Sequence, residues 1–386
     1  MAGKFYLVKK EVRGMAVTYN AGTNEITIDG MGTPVSYYNL MENLYIEDQA
    51  GGWGVITKHN DYQYTLGAKL LITNDSYVQE AYKQIYIPQI FVAEYEKVID
   101  IVKGTLRFGW TNNVVTKDIR GGCDIHMQNA IGKVYILYGE NKNDAVLNLY
   151  GCRLFNRGSM FGVVQFENGR VWSNIWENVY AIGRDADLVD IYDLTFQGGT
   201  YRGFSNFYPG TMNQIRILNM HFWAVSLDES ADGKSVNDLY VRGCQALVNV
   251  QENFVSPMTF TLRDINTDSW KVNWRELASG RVYRSYSFET SVIDENSLPM
   301  DGVSVNIKDQ HGSDIYIGST DSTGGIGIEL VRSYCENPDD NLDTNTTYDG
   351  SPFRIILTKA GYENEDFTFE LNDKMTCGPP IQMSPV

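Results

Sequence analysis

The chain is short of most signals that announce chemistry. Its four histidines, His59, His126, His221 and His311, are scattered with no metal-ligand spacing. There is no CxxC pair and no phosphate loop. Gly324-Gly-Ile-Gly327 lacks the Lys-Ser/Thr that would have to follow, and reads as the close of a hairpin. No Ser/His/Asp order stands out as a triad. Positive charge is scarce too: 32 Lys and Arg face 48 Asp and Glu, a formal charge of −16. A sequence-independent grip on nucleic acid needs basic patches, so that class is excluded. No apolar run reaches the length of a membrane span, which excludes insertion by a helix. The opening Met1 to Lys10 carries no export-leader pattern, so synthesis in a cytoplasm is expected.

The deficit of positive charge is uneven. Residues 290–386 hold 17 acidic and 5 basic side chains, a balance of −12, and the rest of the chain carries only −4. A strongly acidic end on a nearly neutral body repels polyanions and membranes.

What is present is repetition. Five segments share one pattern of apolar, variable, apolar, variable, Gly/Asn/Asp, apolar. They are Leu147-Asn-Leu149-Tyr-Gly-Cys152-Arg-Leu154, Val189-Asp-Ile191-Tyr-Asp-Leu194-Thr-Phe196, Ile215-Arg-Ile217-Leu-Asn-Met220-His-Phe222, Leu239-Tyr-Val241-Arg-Gly-Cys244-Gln-Ala246 and Phe260-Thr-Leu262-Arg-Asp-Ile265-Asn-Thr267. A weaker copy lies around Trp172-Ser-Asn174-Ile175. Markers at 149, 172, 191, 217, 241 and 262 recur every 19 to 26 residues. Alternation at period two means strands with one inward face. Gly151, Asn174, Asp193, Asn219, Gly243 and Asp264 tolerate a left-handed backbone, so a bend is expected at each. Short strands joined by a bend at this period describe one coil of a solenoid. The pattern resembles the right-handed parallel β-helix family. The competing reading is a large antiparallel sandwich.

The expected architecture is therefore all-β. It has a right-handed parallel β-helix over 61–284, a lead-in with a short capping helix over 1–60, and a small acidic β-sandwich over 285–386. The helix is placed at Pro34–Glu47, capped by Thr33, with Val35, Tyr38, Leu40, Met41, Leu44 and Tyr45 as its apolar stripe. It would cover the open end of the first coil or dock on a larger body. Between 60 and 145, strands are expected at Tyr64–Ile72, Gln84–Ile87, Val98–Val102, Thr105–Phe108 and Val134–Tyr138. In the C-terminal part, Val292-Ile-Asp294, Pro299 to Gly302-Val-Ser-Val, Thr320-Asp-Ser-Thr-Gly324 and Lys359-Ala-Gly-Tyr362 resemble carboxypeptidase-regulatory-like domains of transthyretin-like fold. That resemblance implies a non-catalytic accessory module.

Carbohydrate cleavage requires paired carboxylates, or a carboxylate with a metal and a base. With the markers in register, no outward column stacks two acids, so no catalytic residue is assigned. The loops Arg184-Asp-Ala-Asp187 and Asp228-Glu229 read first as solvated acids, with a supply of carboxylates to a hydrolase site left open as the second reading. Arg242 and Arg263 fall on neighbouring coils, and two readings stay open: hydrated guanidiniums, or a candidate contact to acids of another subunit. Asp339, Asn341, Asp343 and Asn345 begin like a calcium loop but lack its Gly and Glu, which leaves calcium a minor alternative and no assigned cofactor. Among the five cysteines, Cys152 and Cys244 lie too far apart on the ladder to bridge; Cys335 and Cys377 could pair, and nothing demands it.

Ile28-Asp-Gly-Met-Gly-Thr-Pro-Val35, Tyr38-Asn-Leu40 to Asp48 and Ala50-Gly-Gly-Trp-Gly-Val-Ile-Thr-Lys58 resemble the opening of β-helical structural proteins of tailed bacteriophages. The resemblance implies a virion component, a head decoration, fibre or tail appendage. It would assemble with other virion proteins, often as a trimer, and meet host-surface carbohydrate. The rival readings are a tailspike depolymerase and a bacterial surface adhesin.

Overall fold

The computed structural model describes residues 10–12, 15–29, 35–60, 63–73, 76–80, 84–87, 97–127, 134–139, 143–156, 162–183, 186–198, 202–209, 211–220, 222–251, 257–275, 278–337, 346–376 and 378–386. The chain is mostly β and divides into two compact units. The first is residues 1–227, 240–248 and 268–271; the second is 228–239, 249–267 and 272–386.

In the first unit, one long sheet begins with the antiparallel strands Lys10–Val12, Met15–Asn20 and Glu25–Asp29. From Glu25–Asp29 onward every described pairing in it is parallel. The order is Lys69–Thr73, Lys97–Ile101, Val134–Gly139, Gly162–Phe166, Val179–Gly183, Arg202–Phe207, Trp223–Leu227. A second long sheet runs alongside in sequence. Its strands include Val35–Ser36, Ser76–Glu80, Gly104–Phe108, Ala145–Tyr150, Asn168–Glu177, Leu188–Gln197 and Thr211–Leu218. The chain alternates between the two sheets, an arrangement that fits a β-helix. Inner positions are apolar and closed: Ile26, Leu70, Ile99, Leu137 and Val164 in one sheet, Val78, Leu106, Leu147, Val171 and Ile191 in the other, are all buried. Each such side chain contributes roughly 1.5–3 kcal/mol on leaving water.

Register corrects the repeat. Leu149 pairs with Val171, Val171 with Ile191 and Ile191 with Met212, steps of 22, 20 and 21 residues. The marker for the weak copy is thus Val171 and not Trp172. Ile217 stacks on Phe196, one bend further along than expected. The structure contains two bends where the pattern suggested one. Gly151, Ser173, Asp193 and Gln214 are left-handed in the first; Asn178, Gly198, Asn219 and Gly243 in the second. Asn174, the expected bend, lies one residue past Ser173, fully inside. Its amide donates to the carbonyls of Leu149 and Trp172 at 2.9 and 2.8 Å.

The helix spans Tyr37–Gly51 rather than Pro34–Glu47. Ser36 caps it, accepting the Asn39 N–H at 3.2 Å; the expected cap Thr33 and Pro34 lie outside the described residues. Leu40, Met41 and Leu44 form its buried face. It packs against Val35–Ser36, Ile56–Asn60 and Ser76–Glu80 at the start of the second sheet. Gly52, at φ 68°, ends it by donating to Asp48 O at 2.7 Å. No helix among the described residues is long and apolar enough to cross a membrane.

The second unit has its own core. A sheet of Lys234–Asn237, Met258–Arg263, Gly280–Ile293, Gly325–Asn337 and Thr346–Asp349 is parallel in its first pairings and antiparallel in the rest. A four-stranded antiparallel sheet runs Asp314–Ser319, Ser304–Lys308, Phe353–Thr358, Glu365–Phe369. Tyr286, Phe288, Val292 and Leu330 from the first sheet share one apolar cluster with Val305, Ile307, Ile355 and Leu357 from the second. The expected boundary at 284–285 falls inside the continuous strand Gly280–Ile293. Asp321–Gly324 is a turn that passes the chain from one sheet to the other, not the close of a hairpin.

Candidate functional site

With the register set, the outer columns of the second long sheet can be read. One column is Arg107, Asn148, Arg170, Asp190. The next is Tyr150, Trp172, Tyr192, Asn213. Beyond the bend, Asp124, Arg153, Ile175, Thr195 and Arg216 line up, and then His126, Phe155, Glu177, Gln197 and Leu218. None of these columns places two acids on adjacent strands. Val171, which a marker at 172 would have turned outward, is fully buried.

The second column is a ladder of aromatic rings. Strand spacing brings Tyr150 and Trp172 to a centroid separation of 5.3 Å. Cations lie over the rings: Arg170 at 5.3 Å from Trp172, Lys117 at 5.2 Å from Trp172 and 4.2 Å from Tyr192. Arg107 lies 5.7 Å from Tyr150 and 4.1 Å from Trp110. Contacts of this kind are worth about 0.5–2 kcal/mol each, more as water is excluded. The one acid of the group, Asp190, accepts the Trp172 indole N–H at 3.0 Å and faces the Lys117 ammonium at 3.7 Å.

A hairpin covers the ladder. It is formed by Trp110–Asn113 and Asp118–Arg120, inserted after the strand that carries Arg107. Asn113 Oδ1 accepts the N–H groups of Val115 and Thr116, and Lys117 takes the left-handed conformation that turns the chain back. Under this cover Trp172 is 1% exposed and Tyr150 3%, whereas Trp110 is 44% and Val115 at the tip 91% exposed. Gly109 makes the insertion sterically feasible: a Cβ there would sit 1.8 Å from Tyr150 O.

Chemically, this face offers ring faces and cations for contact. Its carboxylate is committed to an indole and an ammonium, and its cations are spread over ring faces. Arg170 and Trp110 stay accessible at its rim, positions suited to an anionic or planar partner group. Sequence reading missed it because the column depends on Trp172 facing out, which the displaced marker hid.

The expected site residues Arg242 and Arg263 belong to different units, and each has its own surroundings. In the first unit, Arg242 lies 4.1 Å over the Tyr240 ring and donates to Val241 O at 2.7 Å. In the second unit, Arg263 is ion-paired with Glu329, which also accepts the Ser285 hydroxyl. An acid for Arg263 is thus supplied within the chain. Asp228 accepts from the N–H and hydroxyl of Ser230, a loop cap. Arg184, Asp185, His221, the Asp339–Asn345 calcium-like stretch and Cys377 lie outside the described residues. His126 stacks on Phe155 at 5.2 Å, and His311 Nε2 lies 3.2 Å from Asp349 O. Among the described residues, no three His, Cys, Asp or Glu side chains are grouped to hold a metal.

No protein-family model matches the sequence, and no curated protein matches it. Solved structures with some similarity include the Bacillus anthracis TIE protein, at 16% identity over 31% of this chain and 20% of that one, with a TM-score of 0.20. This chain therefore spans about a fifth of that protein's length. The periplasmic alginate epimerase AlgG is similar at 10% identity over 65% of this chain and 85% of its own, TM-score 0.19. A single-site mutant of the same epimerase gives 10% identity, 66% and 85% coverage, and a TM-score of 0.15. Overlaps this slight carry no functional argument.

Proposed function

We propose that the chain is a non-enzymatic structural protein of a tailed-bacteriophage particle, a head decoration or fibre or a tail appendage, built for attachment and display. In this reading the first unit is a right-handed parallel β-helix capped by the helix Tyr37–Gly51. The acidic C-terminal part is a carboxypeptidase-regulatory-like β-sandwich. The observation that carries it is the unbroken parallel register from Leu149 through Val171 and Ile191 to Met212, with a closed apolar interior. Such ladders are stiff because every strand is hydrogen-bonded on both sides. The outer acids nearest the aromatic ladder are tied to cations, Asp190 to Lys117 and Asp193 to Arg216 at 2.5 Å, which favours holding over cleavage. The rim residues Trp110 and Arg170 would meet a virion partner or host-surface carbohydrate. Assembly as a homo-oligomer, a trimer in particular, belongs to the same reading, with Arg242 as a candidate contact.

The test has two arms. Mass spectrometry and immunogold microscopy of purified particles that encode the chain should find it on the particle. Incubation of the purified protein with host surface polysaccharide should release neither reducing ends nor unsaturated sugars. Sugar release would overturn the reading in favour of a depolymerase, and absence from particles would favour a bacterial adhesin.

A further inference from the structure

We propose that Cys123 and Cys152 are a disulfide-forming pair, a modification site that staples two neighbouring parallel strands when the protein meets a small disulfide oxidant. The register places them together. Strands Asp124–Met127 and Arg153–Asn156 pair in parallel with Asp124 opposite Arg153, so the preceding residues, Cys123 and Cys152, are opposite each other. The Arg153 N–H donates to Cys123 O at 2.9 Å and holds that alignment. In-register neighbours on adjacent strands lie about 4.8 Å apart. That is inside the range of about 4.4–6.8 Å between Cα atoms that a disulfide spans without backbone movement.

Side-chain direction agrees. Both cysteines are buried, and the register sets them side by side on the same face. The Cys152 thiol also lies 3.4 Å from Phe108 O. One residue upstream the two segments touch: a Cβ on Gly122 would fall 1.7 Å from Gly151 O. The chain is thus pressed together at this point by its glycines, and a small local approach of the two Cβ atoms, from about 4.8 Å to the roughly 3.5–4.5 Å a disulfide takes, closes the bond. The other described cysteines have different surroundings. Cys335 accepts the Trp274 indole N–H at 3.3 Å in the second unit, and Cys244 lies near the Arg242 carbonyl.

The chemistry balances with an external disulfide, such as oxidised glutathione, as the oxidant. One cysteine thiolate attacks it, forming a mixed disulfide and expelling one small thiol. The second cysteine then attacks the protein-bound sulfur and expels the other. The pair loses two protons and two electrons, and the oxidant becomes two thiols. Burial pushes the Cys152 thiol well above its ordinary value, so thiolate is scarce in the closed structure. Exchange should therefore be slow in the native protein and faster at alkaline pH or in mild urea, which opens the strands transiently.

This inference is independent of the function proposed above, and either can fail alone. The full chain is incubated with oxidised glutathione at alkaline pH in mild urea, alkylated, digested and mapped. The expected result is a peptide linking Cys123 to Cys152, two hydrogens lighter than its reduced parts, and a Tm several degrees higher that dithiothreitol reverses. Cys123→Ser and Cys152→Ser should each abolish the link and the shift. Recovery of both residues as alkylated thiols, or linked to other cysteines, from the wild-type chain would overturn the proposal without recourse to any variant.

Discussion

Single carboxylates do much of the local organisation. Asp48 is 1% exposed, and its side chain accepts the backbone N–H groups of Gly54, Val55 and Ile56 at 2.5, 2.9 and 2.6 Å. It thereby ties the end of the helix to the strand that follows. Charge-assisted bonds of this kind contribute about 1.5–3 kcal/mol, and their loss leaves buried donors unmet. Asp48→Ala should cost about 3 kcal/mol locally, seen as faster hydrogen exchange over 37–60. In the second unit, Asp309 is buried, which alone would raise its pKa. The Tyr348 hydroxyl and the N–H groups of Ser313 and His311 outweigh burial and hold it below the ordinary carboxylate value. A depressed folded value means that the stabilisation is full above the unfolded pKa, about 3.9, and is lost as pH falls through the folded one. Tyr348→Phe removes one donor, raises the folded value and should move the acid loss of the second unit to higher pH, with about 1 kcal/mol less stability at neutrality. Titration followed by near-UV circular dichroism would show no displacement if the hydroxyl were irrelevant.

At the scale of elements, the hairpin Trp110–Arg120 and the bends govern the first unit. The hairpin is held on the aromatic ladder by Lys117 over two rings and by its approach to Asp190. Lys117→Ala should weaken the cover by about 1 kcal/mol and red-shift tryptophan emission as Trp172 gains water. An unchanged spectrum would mean that the hairpin is anchored elsewhere. The bends differ in what they demand. Gly122, beside the bend residue Gly151, has no room for a Cβ because the Gly151 carbonyl occupies that space, whereas Gly198, a bend residue at φ 63°, has open space around it. Gly122→Ala should therefore cost several times more than Gly198→Ala, for which the left-handed backbone alone sets a cost of about 1 kcal/mol. Urea midpoints of the two variants check the order; equal costs would mean that the close approach relaxes freely.

For the molecule as a whole, each unit closes its own apolar core, one between long parallel sheets and one around Tyr286, Phe288, Val305 and Ile355. Two cores with separate composition predict two calorimetric transitions. The later residues of the second unit hold most of the acidic excess, so its transition should respond more strongly to added salt, which screens like-charge repulsion. A single transition with uniform salt response would show that the two cores melt as one.

The amino-acid sequence by itself determined where strands lie, their period-two inner face, the step of about twenty residues and the residue types at bends, because these follow from side-chain chemistry within a few neighbours. Gln84–Ile87 and Thr105–Phe108 were legible on that ground. So was the helix stripe through Leu40, Met41 and Leu44, though not its cap at Ser36. Which apolar pair lies over which was decided only by the tertiary structure. Loops of different length cost nearly the same to close, so the chain can shift a copy by five residues, as at Ile217, without altering its local pattern. Inter-strand hydrogen bonds and interior packing select one alignment. That selection sets Trp172 beside Tyr150, Cys123 opposite Cys152, and the two bends where one repeat was visible.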